Sequence, residues 1–122
     1  MKKVLLVIDD NRVSRLLPGL MLQSFSEQIK VLECERGSDG LRLLESETVS
    51  HLLLDISMPD FDGIQVARAI SDLSQSENMR LIAYTADARA MDDDAVKSAG
   101  FDEVLLKPIK SDDLMRVLDL WR

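Results

Sequence analysis

Five times along this chain a short strand-like run comes to a halt, and each time a stretch follows whose apolar positions recur at helical spacing. The first run, Val4 to Ile8, is continuously apolar and stops at Asp9-Asp10-Asn11. Ile29 to Glu35 alternates weakly, and His51 to Leu54 runs straight into Asp55. Arg80 to Thr85 and Val104 to Leu106 complete the set, the last stopping at Lys107-Pro108. Strands that read as unbroken apolar runs are buried on both faces. Their regular alternation with helices requires a parallel sheet covered on both sides and joined by right-handed crossovers. In such a sheet the carboxyl ends of the strands line the crevice where ligands bind.

The helical stretches carry their own start and stop signals. Val13, Leu16, Leu17, Leu20 and Met21 follow Asn11, a suitable cap, although Pro18-Gly19 should bend or break that helix unless it begins near Ser14. Gly37 to Glu47 places Leu41, Leu43 and Leu44 on a second helix. Ile64, Val66, Ala67 and Ile70 give a third, which frays into Ser74-Gln75-Ser76-Glu77-Asn78. Ala88 to Ala99 reads as a fourth, closed by Gly100 in the left-handed position. Ser111 is placed to cap the last, with Asp112 and Asp113 in its first turn and Leu114, Val117, Leu118 and Trp121 on its inner face.

A length of 122 residues fits one domain spanning 1–122, and the net charge of −7, with no clustering of Lys and Arg, disfavours direct binding to nucleic acid or anionic membranes. Cys34 is the sole cysteine, so no internal disulfide is available, and it reads as a small strand residue. The apolar run after Met1-Lys2-Lys3 is too short for a signal sequence or membrane span, and a cytoplasmic, reducing setting is expected.

Four of the strand ends carry polar residues whose chemistries complement one another, namely Asp9 and Asp10, Asp55, Thr85 and Lys107. Carboxylates crowded at one sheet edge repel by on the order of 4 kcal/mol per pair at about 4 Å and an effective dielectric near 20. A cation removes that cost. With oxygen donors and no His or Cys among them, the ion expected is hard and divalent, and Mg2+ best suits a phosphate partner. An acid beside Mg2+, with a lysine and a hydroxyl on neighbouring strands, is an arrangement for phosphoryl transfer in which Asp55 is the nucleophile. Read one at a time, the same acids are ordinary turn and cap residues; that reading accounts poorly for all five residues together.

Asp9-Asp10, Leu52-Leu53-Leu54-Asp55, Met58-Pro59, Asp62-Gly63, Ala83-Tyr84-Thr85-Ala86, Ala99-Gly100-Phe101-Asp102 and Lys107-Pro108, in that order, resemble the receiver domain of two-component response regulators, the chemotaxis-regulator type. The likeness spans essentially the whole chain. It implies a flavodoxin-like (βα)5 three-layer α/β sandwich with a five-stranded parallel sheet of order 2-1-3-4-5. It also implies a signalling switch, not a turnover enzyme, that phosphorylates and dephosphorylates itself on Asp55, with a histidine kinase or histidine phosphotransfer protein as donor. By position, Asp10 resembles a direct Mg2+ ligand, Asp9 a ligand through water, Asp55 a ligand and the phosphoacceptor, and Ser57 a donor of its backbone carbonyl. Thr85 resembles the hydroxyl that turns toward the phosphoryl group, and Lys107 the ammonium that pairs with it, with a cis bond to Pro108. Ser57 and Asp87 match variable positions beside the site that bear on the lifetime of the phosphorylated state.

The resemblance further implies an effector domain or downstream protein as output, and it allows a homodimer. One position departs from it: the switch aromatic expected three residues before the lysine is Val104. The signal is therefore expected to pass through the loop after Thr85 and the fourth helix. Two rival functions remain. A Mg2+-dependent aspartate-nucleophile phosphatase normally spaces its acids differently and carries a cap for substrate. A phosphorylation-independent adaptor would have no need of the intact site. Tyr84 should pack on the face opposite Thr85, and His51 reads as a surface residue at the sheet edge away from the site. Asp92-Asp93-Asp94 reads as a solvated helix face, and Met58 as a cover for the metal region.

Overall fold

A computed structural model describes residues 2–57, 63–73 and 78–120. Met58, Pro59, Asp60, Phe61, Asp62, Ser74 to Glu77 and Trp121 lie outside the described residues, and so do the expectations that fall on them. Five strands, β1 (Lys3–Ile8), β2 (Ile29–Cys34), β3 (His51–Asp55), β4 (Arg80–Thr85) and β5 (Glu103–Leu106), form one parallel sheet of order β2-β1-β3-β4-β5. The flavodoxin-like order expected from the resemblance is the one observed. Helices α1 (Arg12–Met21), α2 (Gly37–Ser46), α3 (Gly63–Ser71), α4 (Asp94–Ser98) and α5 (Ser111–Leu118) cover it. Among the described residues no helix is long and apolar enough to cross a membrane.

Strand alternation divides the core in two. Leu5, Val7, Leu53, Ile82, Tyr84 and Leu105 face α5 and the inner side of α1, where Leu114, Val117, Leu118, Leu17 and Met21 meet them. Leu6, Ile8, Leu52, Leu54 and Leu81 face the opposite way, onto Leu44 of α2 and Val66, Ala67 and Ile70 of α3. Each fully buried Leu or Ile contributes about 1.5–3 kcal/mol relative to exposure, so the two layers together hold the sheet rigid beneath the site. Gly63 begins α3 directly behind the site, because a Cβ there would run into Ile56 Cα and lie 2.7 Å from the Asp55 carbonyl oxygen.

Several local expectations are corrected. Pro18 does not break α1: the helix runs from Arg12 to Met21, and the ladder resumes where Leu22 N donates to Pro18 O at 3.0 Å. Asn11 caps it as expected, accepting from Ser14 N at 3.0 Å. The single helix expected over Ala88 to Ala99 is instead a 3-10 turn, Ala88–Asp92, followed by the short α4. Asp93 makes the break, because its extended backbone stops the first segment while its side chain accepts from Ala95 N at 2.8 Å and Val96 N at 3.2 Å. The acidic run is thus partly a cap. Ser111 is the first helical residue of α5 and Lys110 its cap, without a side-chain hydrogen bond. Gly100 does take the left-handed conformation, with φ of 99°.

His51, expected at the surface, is only 8% exposed. It starts β3 at the edge away from the site, with Nδ1 2.9 Å from Ser50 Oγ, a hydroxyl that itself donates to Val4 O at 2.9 Å. Burial, and then the nearby Lys3 and Arg80 charges, push its pKa below 6.5 against an opposing hydrogen bond with the Val117 backbone. Unfolded, the ring takes a proton near 6.5 while the folded protein still resists it. The stability contributed is therefore complete above that pH and is lost as pH falls toward the lower folded value. Urea unfolding of wild type and His51→Gln at pH 7.5 and 5.5 should show wild type losing more on acidification, with an excess slope of at most about 1.4 kcal/mol per pH unit for one proton.

Candidate functional site

Sheet register brings the polar strand ends level. Ile8 is opposite Leu54, so Asp9, one residue on, emerges beside Asp55. Asp55 in turn is opposite Tyr84, and Thr85 is opposite Leu106, which places Lys107 just beyond Thr85. The ladder continues past the strands themselves: Asp9 N donates to Cys34 O at 3.1 Å and Lys107 N to Thr85 O at 2.7 Å. Asp9, Asp10 and Asp55 each offer a carboxylate oxygen, all within 4.8 Å of one another. Asp9 and Asp55 are buried and Asp10 is exposed.

The Lys107 ammonium lies between the two buried acids, 2.9 Å from Asp9 Oδ2 and 3.3 Å from Asp55 Oδ2. Asp55 Oδ1 is held from the other side by Ser57, whose N–H donates at 2.9 Å and whose hydroxyl donates at 2.7 Å. Asp9 Oδ1 accepts from Asn11 N at 2.9 Å. Burial raises the Asp9 pKa, against the pull of Lys107 and the Asn11 N–H, so this carboxyl takes up a proton before its neighbour. At Asp55 burial also acts upward, but the Ser57 hydrogen bonds and the Lys107 charge outweigh it and hold the carboxyl below its usual range. Burial opposes the Lys107 charge, yet the two carboxylates prevail and raise its pKa.

The residues fit a hard divalent cation. Their donors are all oxygen, they converge from two strand ends, and the buried Asp9 Oδ2 has no aligned hydrogen-bond donor despite the nearby ammonium. Ser57 is used here through its N–H and hydroxyl; the metal-binding role of its carbonyl remains an expectation. Thr85, 2% exposed, accepts from Asp87 N at 3.1 Å. Asp87 then grips Arg89, with contacts of 2.9 to 3.2 Å, and this guanidinium holds the Asp87 carboxyl below its ordinary range. A cleft of about 430 Å3 opens beside them, lined by Ser57, Ile64, Thr85, Asp87 and Arg89.

Three residues at the site were not singled out for these roles in the sequence. Tyr84 packs in the core, as alternation requires, but its ring also lies beneath Lys107, whose Nζ is 5.0 Å from the ring centroid, within cation–π range. Its position beside Thr85 and the register of β4 with β5 were the available signal. Arg89 was detectable only as a cation two residues from Asp87. Arg15 donates through Nη1 to Asp9 O at 3.1 Å, and its sole signal was its place one helical turn after the Asn11 cap. Val104 lies opposite Ala83 in the sheet.

The family model "Response regulator receiver domain" matches residues 5–119. An uncharacterized 14.6 kDa protein of Leptolyngbya boryana is 33% identical over 93% of this chain and 86% of its own length. The CAI-1 autoinducer sensor kinase/phosphatase CqsS of Vibrio cholerae is 28% identical over 96% of this chain, which spans only 17% of that protein. Among solved structures, the receiver domain of a sensor histidine kinase from Pseudomonas aeruginosa, with magnesium coordinated in its active-site cleft, is 28% identical with a TM-score of 0.85, covering 99% of this chain and 98% of that one. The chemotaxis response regulator CheY4 of Vibrio cholerae shares the fold at a TM-score of 0.86 and 20% identity, covering 98% of each chain.

The buried acids also set a stability test. Because the folded Asp9 carboxyl has a raised pKa, its ionised form at neutral pH opposes folding, and that penalty fades as pH falls through the folded value and is gone near the unfolded value of 3.8. Asp9→Asn keeps the acceptor for Asn11 N and removes the charge. In metal-free buffer at pH 7 it should raise stability by about 1 kcal/mol or more, measured by urea unfolding, with the gain shrinking toward pH 4.

Proposed function

The chain belongs to the response regulator receiver domain family, and from that premise we propose that residues 1–122 act as a phosphorylation-controlled switch in a two-component phosphorelay. The observation that carries the reading is the state of Asp55. It is a buried carboxylate fixed at one oxygen by Ser57, facing an ammonium at the other, with two further acids beside it.

Asp55 accepts the phosphoryl group. One carboxylate oxygen attacks phosphorus while the phosphorus–nitrogen bond of a donor phosphohistidine breaks, and the leaving imidazole takes a proton from solvent. The product is an acyl phosphate. Asp9, Asp10 and Asp55, with the Ser57 carbonyl, would hold Mg2+, which when bound supplies positive charge for the phosphoryl oxygens. Lys107, already placed between the acids, pairs with a phosphoryl oxygen, and the Thr85 hydroxyl donates to another. Ser57 keeps the nucleophile in one orientation. The donor is a histidine kinase or histidine phosphotransfer protein, the setting is cytoplasmic, and the output is an effector domain or downstream protein.

Intact-protein mass after incubation with acetyl phosphate tests this directly. One phosphoryl adduct is expected, dependent on Mg2+ and absent from Asp55→Asn; folded wild-type protein that binds Mg2+ yet gains no adduct would favour a phosphorylation-independent adaptor. With Val104 in place of a ring, phosphorylation should change the segment after Thr85 more than β5. Amide exchange with and without a phosphoryl mimic should alter protection across 86–99, and identical exchange over both regions would sink that route.

A further inference from the structure

The two acids at the end of β1 are held very differently. Besides the Lys107 ammonium at Oδ2, Asp9 is fixed at three further points: its N–H donates to Cys34 O at 3.1 Å, Oδ1 accepts from Asn11 N at 2.9 Å, and its carbonyl accepts from Arg15 Nη1 at 3.1 Å. Asp10 is exposed, and its side chain takes no hydrogen bond or ion pair from the described residues. What places the Asp10 carboxylate is therefore the backbone that leads to it. The carbonyl bound by Arg15 belongs to the peptide joining Asp9 to Asp10. Rotation of that rigid plane would swing Asp10 relative to Asp9 and Asp55.

Arg15 is built to hold it. Its side chain is 12% exposed, and its second arm lies 3.5 Å from Glu35 Oε1, a residue directly after β2. The start of α1 is anchored as well, since Arg15 N donates to Asn11 O at 2.9 Å and Asn11 caps the helix. The guanidinium thus spans from the Asp9–Asp10 peptide to the neighbouring strand end, a reach that needs two donor arms in a fixed plane. Glu35 is 68% exposed, so its ion pair adds little energy of its own; its part is to aim the arginine.

We propose that Arg15 is a positioning residue for the acidic cluster, holding the Asp9–Asp10 peptide so that Asp10 meets a divalent cation without rearrangement. The inference rests on the proposed reading of that cluster, and it predicts a loss in metal affinity separate from any loss in folding. Calorimetric titration of Mg2+ into wild type, Arg15→Met and Arg15→Lys tests it, alongside thermal unfolding of each protein without metal. Arg15→Met should bind Mg2+ about tenfold more weakly, the low end of the range seen when groups supporting metal ligands are removed, and Arg15→Lys, which keeps one donor arm, should bind measurably more weakly than wild type but less so than Arg15→Met. The acetyl phosphate reaction of both variants should return to the wild-type rate at saturating Mg2+.

Affinity within about twofold of wild type in a folded Arg15→Met protein would overturn the proposal, as would a slow reaction that extra Mg2+ does not restore. Should Arg15→Met fail to fold, Arg15→Lys decides alone: affinity equal to wild type overturns the proposal, and weaker binding at unchanged thermal stability supports it. Wild-type protein that binds no Mg2+ would remove the cluster reading and this inference together, whereas failure of Arg15→Met alone leaves the cluster reading intact.

Discussion

The ammonium of Lys107 sets the terms for the whole carboxyl edge of the sheet. Two buried carboxylates at adjacent strand ends would repel at a cost comparable with a sizeable fraction of a small domain's stability. One cation between them makes the arrangement tolerable. The remaining groups follow from that compromise. Ser57 supplies the hydrogen bonds that the second Asp55 oxygen needs, and the Asn11 N–H does the same for Asp9. Tyr84 gives the lysine a polarizable floor at 5.0 Å. One ammonium offsets only one of the two buried carboxylates, so the site keeps an excess of negative charge, to which the exposed Asp10 adds.

Much of this was legible in the chain because strand ends are marked by chemistry as well as by periodicity. Apolar runs that stop at Asp9, Asp55, Thr85 and Lys107 identify both the parallel sheet and the edge where its polar groups gather. Strand order came from resemblance, since periodicity carries no information about which strand pairs with which. The misread positions share a cause: tertiary surroundings overrode a local rule. His51 looked like a surface histidine at a strand start, yet it lies 8% exposed with Ser50 and the Val117 backbone as partners. Pro18 looked like a helix breaker, but it is buried within α1 and the packing around it holds the helix through the missing bond.

The segment from Asp87 to Ser98 shows the limit in the other direction. Its apolar spacing favoured one helix, but Asp87 and Asp93 each bind backbone N–H groups two or three residues ahead. Such local side-chain bonds compete with a continuous helical ladder, and here they divide the segment in two. Only Val96 within it is buried. A stretch with so little apolar anchorage lies at the low end of local stability, and it begins immediately beside Thr85.

At the opposite edge, Lys3 donates its ammonium protons to the carbonyls of Leu118 and Asp119, so the first strand holds the end of the last helix across a sequence separation of 115 to 116 residues. Closing a loop of nearly the whole domain carries the largest chain-entropy cost of any contact described, and that cost is met only when the intervening sheet is already assembled. Seating of the α5 terminus is therefore expected late in folding, after the sheet that brings Lys3 and the end of α5 together. Substitutions at Lys3 should consequently act on the unfolding limb of a chevron plot and leave the folding limb nearly unmoved.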